Sequence, residues 1–276
     1  GSLHPATRFN IDRDYGALGH SRRADVVMLD DDLNVHNTWL GGRLVVENKK
    51  ITPFLDKQLS NNRYLYPRKA YETVIIPKQI KLVPSIPDKE NFYINVINTK
   101  LPGIMTFLET IKINKKPKSW NEILISHNLC HLCVIERHGK NGDFAHGFIK
   151  NFNLKSGAVA SSVGHDAHNI IVSGMNEKDM KLAVELVNES QGGIVIVNNG
   201  KLISKVKLPI AGLLSDKKAS EVAEDNRLFK EKWTKSGCSL AYMGFNLLSL
   251  SVIPNVRLTN KGLVDVNKMV IIPIFE

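Results

Sequence analysis

SSVGHDAHNIIVSG, residues 161–174, places His165, Asp166, His168 and Asn169 between two short apolar runs. Short apolar and β-branched runs bounded by a polar cluster read as strands, and a turn this tight returns the chain antiparallel to itself. Residues 156–163 and 170–173 are therefore expected to be two strands of a mostly antiparallel sheet. The cluster between them has two readings. Asp166 and Asn169 can bond their own backbone, as such residues do in turns. That leaves both histidines unexplained. Two imidazoles beside a carboxylate and a carboxamide can donate and accept protons near neutral pH, which suits binding a heterocycle or helping water attack it.

Working outward, residues 92–98 and 128–136 carry further β-branched and apolar runs. Asn176-Glu-Lys-Asp179 offers an N-cap with a carboxylate at the third helical position, and Met180, Ala183, Val184 and Val187 follow at helical spacing. That helix is predicted to end at Gly192-Gly193. Residues 194–197, then Asn198-Asn199-Gly200, then alternating Leu202, Ser204, Val206 and Leu208 read as a hairpin. A second helix is predicted from about Asp216 to Trp233, with Ala219, Val222, Ala223, Leu228 and Phe229 inward, and strands near 245–253 and 269–274 close the chain. Upstream, 24–29 and 39–46 read as strands of a small β module, with Asp30-Asp31-Asp32 suited to the turn between them. Prolines at 53, 67, 77, 84 and 87 mark an irregular connector. The predicted class is α+β: a partial β-sandwich over 3–47, a connector over 48–88, and over 89–276 a mixed domain with a mostly antiparallel sheet and flanking helices.

The chain has 276 residues, 43% of them hydrophobic, enough for one large core or two modest ones. No apolar run approaches the roughly 18 residues of a membrane span, so no membrane partner is expected. Three cysteines, Cys130, Cys133 and Cys238, and no secretion signal pattern make the cytoplasm the expected compartment. The net charge of +10 is densest at residues 112–118, KINKKPK, without interleaved aromatics or zinc-finger spacing, so nucleic acid is not an expected partner.

Cys130-His-Leu-Cys133 invites a zinc reading, with His127, His131 and His138 nearby. Three apart on a strand, however, the two cysteines face opposite ways, and two small buried apolar residues are the expectation. The nucleotide-deaminase zinc signature is missing: Leu129 precedes Cys130, and no His-x-Glu occurs. Dinucleotide, P-loop, serine-hydrolase and His-Glu-x-x-His motifs are absent as well. Glu136-Arg137-His138-Gly139 is a polar run closing an apolar strand, either as an internal ion pair with a turn glycine or as a catalytic group.

Several blocks together resemble the adenine deaminases of the amidohydrolase superfamily. HPATRFNIDRDYGALGHSRRADVVMLDDD, residues 4–32, resembles the segment that leads from the last barrel strand into a small β-sandwich. VIERHGKNG, GFIKNFNLKSGAVASSVGHDAHNIIVSG, GGIVIVNNGK, LPIAGLLSD and SVIPNVRLTNKGLVDV resemble that family's C-terminal domain in order and spacing. Residues 48–87 match poorly. The resemblance implies a metal-binding (β/α)8 barrel N-terminal to these blocks, holding manganese or iron, in an enzyme that hydrolyses adenine to hypoxanthine and ammonia. No metal ligand is carried over to this chain, which is expected to be inactive alone and to work with adenine in a homo-oligomer or with a barrel-containing chain. The residues carried over are His165, Asp166 and His168 in supporting catalytic roles, and Ser161, Ser162, Asn169, Glu136 and Arg137 toward substrate. The alternative is a non-catalytic purine-binding or interaction module retaining the same domain.

Overall fold

The computed structural model describes residues 2–61, 64–100, 104–114 and 119–276, and the chain divides into two units, Gly1–Leu65 and Tyr66–Glu276. In the first, α1 (Leu3–Arg8) precedes an antiparallel sheet of β1 (Val26–Leu29), β2 (Val35–Leu40), β3 (Arg43–Glu47) and β4 (Lys50–Ile51), and α2 (Pro53–Asn61) follows. The Asp30 carboxylate accepts the N–H groups of Asp32 and Asn34 and so closes the β1–β2 turn. The predicted strand at 39–46 is really the end of β2, a turn at Gly41-Gly42 and then β3. Both glycines have positive φ, 55° and 80°, the region where a Cβ is costly, and this breaks the apolar run into a hairpin. The 48–88 stretch contains β4, α2 and a 3-10 turn at Arg68–Tyr71, and it buries Val74, Leu82 and Val83.

The second unit runs β5 (Asn91–Asn98), β6 (Phe107–Asn114), α3 (Trp120–His127), β7 (Leu129–Ile135), β8 (Phe144–Lys150), β9 (Ala158–Gly164), β10 (Asn169–Gly174), α4 (Glu177–Glu189), β11 (Gly193–Asn198), β12 (Lys201–Lys207), α5 (Ala219–Lys235), α6 (Tyr242–Asn246), β13 (Val256–Thr259), β14 (Gly262–Asp265) and β15 (Val270–Ile272). Eight strands form one sheet in the order β12-β11-β9-β10-β7-β8-β5-β6, antiparallel throughout except where β5 meets β8. β13, β14 and β15 make a separate antiparallel sheet. The fold is the expected α+β.

Period-two alternation decides which residues go where. From β7, Cys130, Leu132 and Val134 enter the core beneath α5, α6 and the small sheet, whereas Cys133 and Ile135 enter the core beneath α4. The two thiols are thus on opposite faces. Burial pushes the Cys130 thiol up to about 12 and raises Cys133 as well, so both are inert apolar filler. The β9–turn–β10 hairpin sits in the middle of the sheet, with every residue of β10 buried. α4 starts where the sequence indicates, with the Asn176 side chain accepting the Asp179 N–H at 2.8 Å, and it ends at Glu189, ahead of the two glycines.

Other elements differ from expectation. α5 buries Phe229 and Trp233, spaced four apart, while Ala219, Ala223 and Leu228 are exposed, because the helix lays a narrow stripe over the edge strand β12. Residues 245–253 form no strand: α6 and a 3-10 turn at Leu247–Ser249 bury Phe245 and Leu248, three apart, and β13 and β14 come later. An apolar run of that length is equally compatible with either structure. Of the basic run at 112–118, residues 112–114 end β6, and 115–118 lie outside the described residues.

Candidate functional site

The β9–β10 turn is held from outside through its main chain. The His165 N–H donates to the Asn246 carbonyl at 3.0 Å, and the His165 carbonyl accepts from the Ser249 hydroxyl at 2.9 Å. The Ala167 carbonyl accepts from His138 Nε2 at 2.8 Å, which fixes the proton of that ring on Nε2. The His168 carbonyl accepts from Arg137 Nε. Segments distant in sequence therefore clamp the turn, and within it the His168 ring bonds the Val163 main chain. Asp166 is exposed, and its carboxylate lies 3.9 Å from His165 Nδ1. The His165 and His168 rings are 5.4 Å apart. His165 Nε2, His168 Nδ1 and Asn169 Oδ1 are buried without a hydrogen-bond partner. Burial, then the neighbouring His165, holds the His168 imidazole below its ordinary pKa of 6.5, so it is neutral at physiological pH.

Beside this turn lies a cavity of about 320 Å³. Val134 of β7, Leu250 and Val252 supply apolar walls; Asp166 and Asn169 from the turn, and Asn260 from the β13–β14 turn, supply polar groups. Asn169 Nδ2 donates to Asn260 Oδ1 at 3.1 Å. Lys261, also on the rim, pairs with Asp143. A cavity of this size, with apolar walls and a few convergent hydrogen-bonding groups, suits a small flat heterocycle.

The other residues singled out from the sequence are engaged in structure. Ser162 donates to the Gly212 carbonyl at 2.6 Å and accepts the Gly193 N–H at 2.8 Å, and Ser161 accepts the Val163 N–H at 3.1 Å. Glu136 does not pair with Arg137; it accepts the N–H groups of His138, Lys140 and Gly142. Burial opposes its ionisation, but these donors outweigh burial and lower its pKa. Arg137 is fully buried, with its guanidinium donating to the carbonyls of Thr73, His168 and Ala211. Desolvation brings its pKa down to about 10. Arg137 thus reaches the site as a clamp on the turn. Asn260, Ser249 and His138 were not singled out for the site; the Thr259-Asn-Lys-Gly262 turn signal was legible, but its spatial meeting with Asn169 was not.

The family model for the adenine deaminase C-terminal domain matches residues 104–270, more than half of the chain. The chain belongs to the adenine deaminase C-terminal domain family. An adenine deaminase of Chelativorans sp. (strain BNC1) is 54% identical over 277 residues, a match covering 100% of this chain and 46% of that protein. One from Bradyrhizobium sp. (strain BTAi1 / ATCC BAA-1182) is 54% identical with the same coverage, and one from Clostridium botulinum (strain ATCC 19397 / Type A) is 33% identical over 283 residues, covering 99% of this chain and 46% of that protein. The chain spans about half the length of the curated relatives it matches. The family model's span includes the whole turn, the Glu136-Arg137-His138 run and the Asn260 turn, so every group that builds the adenine deaminase C-terminal cavity lies inside the matched region.

Proposed function

We propose that this chain is the C-terminal part of an enzyme that hydrolyses adenine to hypoxanthine and ammonia, and that its β9–β10 turn forms one wall of the purine pocket. The carrying observation is the match along the entire chain to proteins named adenine deaminase. The site supports it: a clamped turn sets Asp166 and the unpartnered carboxamide oxygen of Asn169 at the wall of a cavity of heterocycle size. Neutral His168 has an unpartnered Nδ1 that can accept a proton, burial then favouring its onward transfer, and His165 stands next to it.

For the intact enzyme we propose a divalent cation, manganese or iron, held by residues outside this sequence and supplying an activated water when bound. Among the described residues no group of three or more His, Cys, Asp or Glu could hold a metal ion, so no step on this chain runs through one. The chain's own residues orient the purine, exclude water and move protons at the turn. Its partner is the remainder of the enzyme, as a barrel-containing segment or chain, in a cytoplasmic homo-oligomer. No helix among the described residues is long and apolar enough to cross a membrane.

Ammonia release from adenine by the intact protein tests the reading. His165→Ala and His168→Ala should each lower kcat by about a hundredfold or more, the lower range for proton-transfer groups, while the 276-residue chain alone releases none. An intact protein that leaves adenine unchanged, or wild-type kinetics in both variants, overturns it.

A further inference from the structure

We infer that Asn169 is a specificity-determining residue of the cavity beside the β9–β10 turn, accepting a hydrogen bond from the exocyclic amine of adenine and rejecting the carbonyl that replaces it in the product. The inference rests on the reading of the chain as part of an adenine deaminase and deepens it. Three observations meet at one side chain. Asn169 is 5% exposed and lines the cavity. Its Nδ2 donates to Asn260 Oδ1 at 3.1 Å, which sets the rotation of the carboxamide about its last bond. Its Oδ1 is buried with no partner.

A buried amide oxygen without a donor carries a desolvation cost that a ligand N–H relieves. The carboxamide has two N–H hydrogens, and the Asn260 contact takes one. The other is left for a ligand, so the group has both an acceptor and a donor to present. That pattern matches the adenine amine and its adjacent ring nitrogen, the pairing asparagine makes with adenine in nucleic-acid recognition. Hypoxanthine carries a carbonyl where adenine carries the amine, so two acceptors would face one another across the same contact. A site built to receive an N–H rejects the analogue lacking it far more strongly than an apolar pocket rejects a change in size. The same contact thereby favours product release. Asn260 acts through Asn169 and is a positioning residue.

The test reads the ratio on the intact protein as the inhibition constant of hypoxanthine over the KM of adenine in the ammonia assay, with calorimetric titration of both purines where no ammonia is released. Wild-type protein should bind adenine at least about tenfold tighter, the lower range for a bidentate base contact. Asn169→Leu should reduce that ratio to near one. Asn260→Ala, a change at a turn tip that leaves the buried strand residue in place, should narrow the ratio by freeing the amide to rotate; circular dichroism and thermal melting confirm that both variants are folded. Should Asn169→Leu fail to fold, the Asn260→Ala ratio alone decides. Hypoxanthine bound as tightly as adenine, no adenine binding, or a wild-type ratio in a folded variant overturns the inference. Failure of the functional reading shows differently, as adenine binding with no ammonia released.

Discussion

Replacing Arg137 with methionine would keep its apolar stem and strip three hydrogen bonds from carbonyls lying 64, 31 and 74 residues away in sequence. Buried carbonyls that lose a charged donor cost about 1–3 kcal/mol each when nothing replaces it. Arg137→Met should therefore lower unfolding free energy by about 3 kcal/mol or more in urea titrations, with Arg137→Lys intermediate because an ammonium cannot span the same fork. A wild-type midpoint for Arg137→Met would show that the clamp contributes nothing. The Glu136-Arg137 run was legible as chemistry but not as placement: its partners are main-chain atoms, which no side-chain pattern announces. His131 makes a second case. It is buried against Trp120 and Phe148, and desolvation, then the charge of His146, lowers its pKa from 6.5 to about 3. Between those values the unfolded chain binds a proton that the folded chain refuses, so this contribution to stability is intact above about pH 6.5 and falls as the pH drops through that window. At pH 5 the loss from this group is about 2 kcal/mol, and His131→Leu should flatten stability between pH 7 and pH 5 by that amount in denaturant titrations. An unaltered pH slope would mean that His131 protonates freely in the fold.

Asp179 couples two elements that the sequence displays separately. The Asn176 cap and the Asn199-Gly200 hairpin turn are each readable locally, and both form where expected. The Asp179 carboxylate joins them, accepting from Asn176 Nδ2 at 2.9 Å and from the N–H groups of Asn199 and Gly200 at 3.2 and 2.7 Å. Asn176→Ala removes a cap worth about 1 kcal/mol. Asp179→Ala releases the helix start and the hairpin together and should cost about 2–3 kcal/mol, read from thermal melts at neutral pH. Equal costs would place the whole effect in the cap. The elements missed from sequence share a physical reason. β6, α3 and β8 are paired or packed at one end of the large sheet, where Phe92, Ile111, Ile123 and Phe148 make a core of their own, and tertiary packing decides such short segments more than propensity does. At 245–253 the apolar run turned helical because the small sheet, not this segment, supplies the strands on that face.

Burial is divided unequally over the whole molecule. Gly1–Leu65 buries Ala6 and Val45 among its apolar side chains, while Val27, Met28, Leu29, Val35, Leu40 and Ile51 of its sheet are exposed. Tyr66–Glu276 holds all three large cores. Apolar burial is the main stabilising term of a domain, and a unit this small that buries so little lies at the margin. The division at 65/66 falls inside the stretch whose prolines marked it as irregular, and no side-chain pattern fixes where within that stretch the contacts change hands. Local opening free energy follows buried contact density, so the two units should separate under a probe of opening. In hydrogen exchange at neutral pH, amides of β1–β4 should exchange orders of magnitude faster than those of β7, β9 and β10. Limited proteolysis should cut within the first 65 residues and leave a resistant fragment beginning near Tyr66. In the intact enzyme the same sheet should be protected, because the remaining polypeptide can cover its apolar side chains. Equal protection of both sheets in the isolated chain would mean that the first unit is stabilised by something other than apolar burial, and would remove the reason to expect a covering partner.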